Sequence, residues 1–134
     1  MWMACKYDWD QFVADCSNST LVHVHASAME TAGPDFNLFT QQAVLEFVHG
    51  GGLERLRYIT HSPWQNNRDP SVVIWVDEYD FYSGSLRGYL AFLRHKTGKW
   101  GIKSFKKSKL AAAGGYPTLA DKLKALTLPP RGEK

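Results

Sequence analysis

Leu86-Arg87-Gly88-Tyr89-Leu90-Ala91-Phe92-Leu93, then Lys96-Thr97-Gly98-Lys99, then Trp100-Gly101-Ile102-Lys103-Ser104-Phe105 is the stretch on which the fold turns. Two runs rich in aromatic and branched side chains flank a short segment with Gly at its tight point. That is the pattern of two strands joined by a hairpin loop. Upstream, Val72 to Val76 is β-branched, Tyr79, Phe81 and Tyr82 follow, and Tyr82-Ser83-Gly84-Ser85 supplies a second turn. An antiparallel meander of at least three strands is expected. Unbroken alternation through it would put Asp77 on the face of Trp75 and Tyr79, so a bend or bulge near Asp77 is expected as well.

Outward from the meander the apolar period changes. Before Leu56 it is mainly helical. Trp9, Phe12, Val13 and Cys16 share a helix face that ends at Ser17-Asn18-Ser19, and Leu21 to His25 alternates as a strand. Ala26 to Ala32 predicts one or two helical turns closed by Gly33-Pro34. Thr40 caps a further helix in which Ala43, Val44, Phe47 and Val48 share a face, ended by Gly50-Gly51-Gly52. After Lys109 the Ala-Gly run 111–115 reads as a link to a short helix, Thr118 to Leu126, with a Leu119, Leu123, Leu126 stripe and a frayed end. The expected fold is α+β in a single domain, residues 1–134: a mainly helical part (1–55) packed on an antiparallel sheet (56–109), then a linker and C-terminal helix (110–134).

The 134 residues, 44% of them apolar and 13% aromatic, suffice for a packed core without a metal or disulfide. Cys5 and Cys16 are too few for a disulfide scaffold and are expected as reduced thiols. The opening residues carry no apolar run before a cleavage site, and no run is long enough to span a bilayer, so the expected location is the cytoplasm, with no membrane partner.

The net charge of +3 hides a strong asymmetry. Arg87, Arg94, Lys96, Lys99, Lys103, Lys106, Lys107 and Lys109 fall in one segment without Asp or Glu, leaving eight basic against thirteen acidic residues elsewhere. One face suited to a polyanion is the functional expectation, because neutralising phosphates releases counterions. A solvated Lys-rich sheet that blunts its own edge is the alternative. Tyr89, Phe92, Trp100 and Phe105 are interleaved with these cations, a combination that suits single-stranded nucleic acid, although most aromatics in half-buried strands belong to the core. Tyr89 is the exception to expect, since its hydroxyl needs a partner.

Other motifs carry less. His23 and His25, two apart on a strand, could project from one face as a metal pair, but no third ligand sits at a characteristic spacing, so no metal or other cofactor is expected. His49-Gly50-Gly51-Gly52 is explained by a helix end, and Ser85 in Gly84-Ser85-Leu86-Arg87-Gly88 is misplaced for a nucleophile elbow. Phosphate-binding and dinucleotide glycine loops are absent.

Several short pieces in residues 21–109 come in the order of a known family. Ser27-Ala28-Met29 is similar to a Ser-Ala-Leu that opens an early helix, and Trp75-Val76-Asp77-Glu78-Tyr79 to a Trp-Gln-Asp-x-Tyr strand. Gly88-Tyr89-Leu90 is similar to a strand bearing a catalytic Tyr, and Ser104-Phe105-Lys106 to a terminal Ser-Phe-Lys with a functional Lys. The chain thus resembles the MqsR-type mRNA interferases, toxins of toxin–antitoxin pairs in the RelE-like ribonuclease group. The resemblance implies a metal-independent endoribonuclease that cleaves single-stranded RNA by 2′-hydroxyl attack and is held by a cognate antitoxin protein. Lys106 and Lys103 would stabilise the phosphate, Lys106 foremost because alternation separates the two unless the strand bends. Tyr89 would position or exchange a proton, His61 is the acid–base candidate, and Arg87 is a reserve. Val76 stands where the family has a functional Gln, and no Lys follows Tyr58 as in the family's Phe-Tyr-Lys segment. A non-catalytic protein binding RNA or a partner, or a mobile-element protein using the sheet for protein contacts, therefore stays open.

Overall fold

The computed structural model describes residues 5–69 and 71–108. Lys109, the Ala-Gly link and the helix expected from Thr118 to Leu126 lie outside the described residues. The elements run α1 (Trp9–Asp15), β1 (Val22–Val24), α2 (Ala26–Phe36), α3 (Gln41–His49), β2 (Glu54–Pro63), β3 (Trp75–Ser83), β4 (Leu86–Arg94) and β5 (Trp100–Lys107). They form an α+β fold on one five-stranded open sheet of order β1-β5-β4-β3-β2. Strands β2 to β5 are antiparallel neighbours, as the hairpin signals require. The sheet is nevertheless mixed, because β1 lies parallel to β5, with Val22 opposite Trp100 and Val24 opposite Ile102. An all-antiparallel sheet is thereby corrected: a lone strand of three residues carries no signal for its partner.

The core lies between the helices and one face of the sheet. Phe12 from α1, Ala28 and Ala32 from α2, and Val44, Leu45 and Val48 from α3 pack with Tyr79, Phe81, Leu90, Phe92, Trp100, Ile102 and Phe105. Phe12 stacks on Phe92 with ring centroids 3.9 Å apart and an interplanar angle of 9°. Asp8 caps α1 by accepting from the amides of Asp10 and Gln11, and Thr40 caps α3 by accepting from the Ala43 amide. On the opposite face Ile74, Val76, Ala91 and Leu93 form a smaller cluster with Trp64 and Tyr89.

Two further expectations change. Helix α2 does not stop at Gly33-Pro34 but runs on to Phe36 and ends at Asn37, whose φ of 62° is left-handed. The Asn37 amide donates to the Gly33 carbonyl and the Leu38 amide to that of Ala32, so the helix closes with its own C-terminal motif after the proline. No bulge interrupts β3 at Asp77, where pairing with β4 is continuous from Val76 to Ser83. Asp77 is instead buried on the helix side, accepting 2.9 Å hydrogen bonds from the backbone amides of Lys6 and Tyr7. Burial raises its pKa, and these two amides oppose the shift. Val72 and Val73 precede the strand and are exposed. Among the described residues no helix is long and apolar enough to cross a membrane.

Candidate active site

Where β4 and β5 pair, the register slips by one residue. Phe92 lies opposite Ile102 but Ala91 lies opposite Ser104, so Lys103 is an extra residue on β5. After it Phe105 returns to the helix side opposite Leu90, and Lys106 faces outward opposite Tyr89. The bulge thereby brings Lys103 and Lys106 to one cleft, which simple alternation would forbid. Ile59, Glu78, Tyr89, Ser104 and Ser108 complete its lining, with a volume of about 370 Å³.

Helix α2 holds the bulged strand. Beyond Ile102, β5 has outrun its short neighbour β1, and its carbonyls need other donors. Ser27 Oγ donates to the Lys103 carbonyl and Thr31 Oγ1 to the Phe105 carbonyl, both at 2.7 Å, while Asp35 accepts from the Lys107 amide at 2.9 Å. Ser27, Thr31 and Asp35 stand four apart on one helix face, and this polar stripe replaces a strand along the edge of β5. The stripe needs the helix to continue past Pro34.

Within the cleft, the Tyr89 hydroxyl donates to Glu78 Oε1 at 2.8 Å and Ser62 Oγ donates to Glu78 Oε2 at 3.0 Å. Lys106 Nζ stands 5.5 Å from the centre of the Tyr89 ring. Burial, then the bond to Glu78, raises the Tyr89 pKa, so its phenol remains a proton donor at neutral pH. Glu78 is thus oriented by two hydroxyls beside two cations, an arrangement that can accept a proton next to a bound phosphate. Sequence reasoning passed over Glu78, although Trp75-Val76-Asp77-Glu78-Tyr79 contained it. The signal was the alternation of β3, which sets Glu78 on the face of Tyr89 and away from the core.

The other expected residues scatter. His61 pairs with Asp77 on the helix side of the sheet, where its Nδ1 lies 2.6 Å from the Tyr58 hydroxyl and its ring meets Trp75 edge-on. It therefore does not join Lys106 and Tyr89. Register shifts in β2, between Glu54 and Arg57 and between Tyr58 and Thr60, govern which face each of its residues reaches. Arg87 is buried against Asp80, with Nη2 2.7 Å from Oδ2, and also lies over the Tyr82 ring, so it is a structural cation rather than a surface one. Arg94 lies over the Trp100 ring and donates to the Gly98 carbonyl, and Lys96 pairs with Asp69 at 2.6 Å. Lys99 is exposed in the β4–β5 loop and Lys107 is exposed on the α2 side. The basic segment is split between two faces and two ends of the sheet.

A second constellation emerges at the other end of β5. His25 Nε2 and His95 Nε2 are 3.4 Å apart, with rings 27° from parallel and Trp64 against both. Burial, then the neighbouring His95, lowers the His25 pKa to about 4. His95 is likewise lowered, first by burial. The sequence offered His23 and His25 as a pair, but His95 joins them only through the β1–β5–β4 pairing.

Family models, curated proteins and solved structures were all searched, and none matches this chain.

Proposed function

We propose that the chain is a metal-independent endoribonuclease of the RelE-like group, resembling the MqsR-type interferases, and that its reaction takes place in the Glu78–Tyr89–Lys103–Lys106 cleft. The observation that carries this reading is the β5 bulge, which gathers two lysines beside a carboxylate already bonded to a tyrosine. Cleavage of RNA by its own 2′-hydroxyl needs a base, an acid and cations for the charge that builds on phosphorus. Glu78 accepts the 2′-hydroxyl proton as the 2′-oxygen bonds to phosphorus. Lys103 and Lys106 stabilise the pentavalent phosphorane. Tyr89 protonates the departing 5′-oxygen as the P–O5′ bond breaks, and Glu78 returns the proton to the phenolate. The products are a 2′,3′-cyclic phosphate and a 5′-hydroxyl, with no oxidant or metal consumed.

The resemblance supports the same place. Its Trp75 to Tyr79, Gly88 to Leu90 and Ser104 to Lys106 pieces lie on the adjacent strands β3, β4 and β5. A cognate antitoxin protein would then act by covering this cleft. A defined single-stranded RNA incubated with the protein in EDTA tests the proposal. Fragments ending in a 2′,3′-cyclic phosphate are expected. RNA that is bound but left intact would favour the non-catalytic binding reading instead.

A further inference from the structure

The histidine constellation lies at the other end of β5 from the Glu78 cleft. Strand β1 carries His23, His25 follows it at the start of α2, and β5 lies between β1 and the end of β4 that leads into His95. Between them is Gly101, opposite His23 in register. A Cβ on Gly101 would stand 2.6 Å from His25 Nε2 and 2.8 Å from His95 Nε2, so only glycine leaves room for the two rings to turn their Nε2 atoms toward each other. His25 occupies the N-cap of α2 without a side-chain capping bond, which leaves its ring for this contact.

Two explanations compete for the 3.4 Å separation of the Nε2 atoms. One is a long N–H···N hydrogen bond between the rings. Two imidazoles on a tetrahedral zinc, each about 2.0–2.1 Å from the metal, stand about 3.3–3.4 Å apart. The separation accommodates either, and Gly101, which keeps the space between the two Nε2 atoms open, is the further observation for the second. We infer that His25 and His95 form a preorganised zinc-binding pair, with His23 from the edge strand β1 as the third ligand and water as the fourth. Among the described residues no set of three His, Cys, Asp or Glu side chains already stands in coordinating position, so His23 must rotate to join. Its ring is exposed, and its centre is 5.5 Å from that of His25, which makes this a side-chain adjustment. Lys103 and Lys99 lie close enough for their charges to be felt by His25 and His95 respectively, and like charge opposes a bound dication. The zinc pair uses none of Glu78, Tyr89 or Lys106 and does not depend on RNA cleavage.

Titration of the chelator-treated full chain with zinc chloride, followed by calorimetry and by the histidine ring signals in NMR, tests the pair. One zinc per chain is expected, perturbing the rings of His25 and His95 in the unmodified protein. His25→Gln and His95→Gln should each weaken binding by at least about tenfold, and His49→Gln on α3 should leave it unchanged. Gly101→Ala removes no ligand, yet its methyl group occupies the gap, so it too should lose at least about tenfold while circular dichroism stays native. The inference is overturned if zinc uptake is unsaturable, if the His25 and His95 rings do not respond, or if Gly101→Ala binds zinc as the unmodified chain does.

Discussion

Cys16 and Cys5 illustrate how position alone divides two identical side chains. Cys16 closes α1 inside the core, and burial, reinforced by Asp15, pushes its thiol up to about 12. Cys5 is exposed. A thiolate-directed reagent at pH 8 should therefore label one cysteine in the native protein and two after denaturation, with the native adduct mapping to Cys5. Two rapid native adducts would mean that the α1 packing is wrong. The same dependence on surroundings decides which site residues could be found from sequence. The face of Tyr89 was legible because alternation on β4 fixes it, whereas Lys106 reaches that face only because the bulge at Lys103 resets the alternation of β5. Glu78 was passed over beside a more conspicuous aromatic run, and His95 joins His25 from seventy positions away, which no local pattern encodes. His61 lies apart from Lys106 and Tyr89 because the side it occupies follows from pairing with Asp77 across an irregular β2, which no local pattern shows.

At the scale of elements, the strands and most helix ends were written in local chemistry: Thr40 before α3, Gly84 and Gly98 with positive φ in the two hairpin turns. What local chemistry did not contain was the irregularity that makes the cleft. The Lys103 bulge is stabilised by hydroxyls of α2, and α2 passes through Gly33-Pro34 because its Ser27, Thr31 and Asp35 stripe is anchored on β5. Propensity yields there to tertiary hydrogen bonding. Strand β4 has its own fixed point at Gly88, opposite Phe81, whose ring lies over the glycine where a Cβ would clash. Gly88→Ala should destabilise the fold by about 1–3 kcal/mol, because Phe81 is fully buried and cannot move aside without disturbing the core. Chemical denaturation measures this, and a midpoint equal to that of the unmodified chain would contradict the packing.

For the whole molecule, a charge asymmetry that looked like a single basic face is divided. Arg87 is engaged by Asp80 and Lys96 by Asp69, while Lys107 is turned to the α2 side, so the cleft offers mainly Lys103 and Lys106. RNA binding by two or three phosphate contacts should weaken with salt at a logarithmic slope of about −1.4 to −2.1, against about −5.6 if the whole segment acted together. Filter binding over a salt series separates the two. The central claim, that chemistry occurs in the bulge-made cleft and not beside His61, is tested most directly by cleavage rates of Lys106→Ala and His61→Ala on one RNA in EDTA. The account predicts a loss on the order of 10²–10³-fold for Lys106→Ala, with its thermal midpoint unchanged, and a rate for His61→Ala close to that of the unmodified chain. A folded Lys106→Ala that cleaves at full rate, or a His61→Ala that has lost the activity, would contradict it.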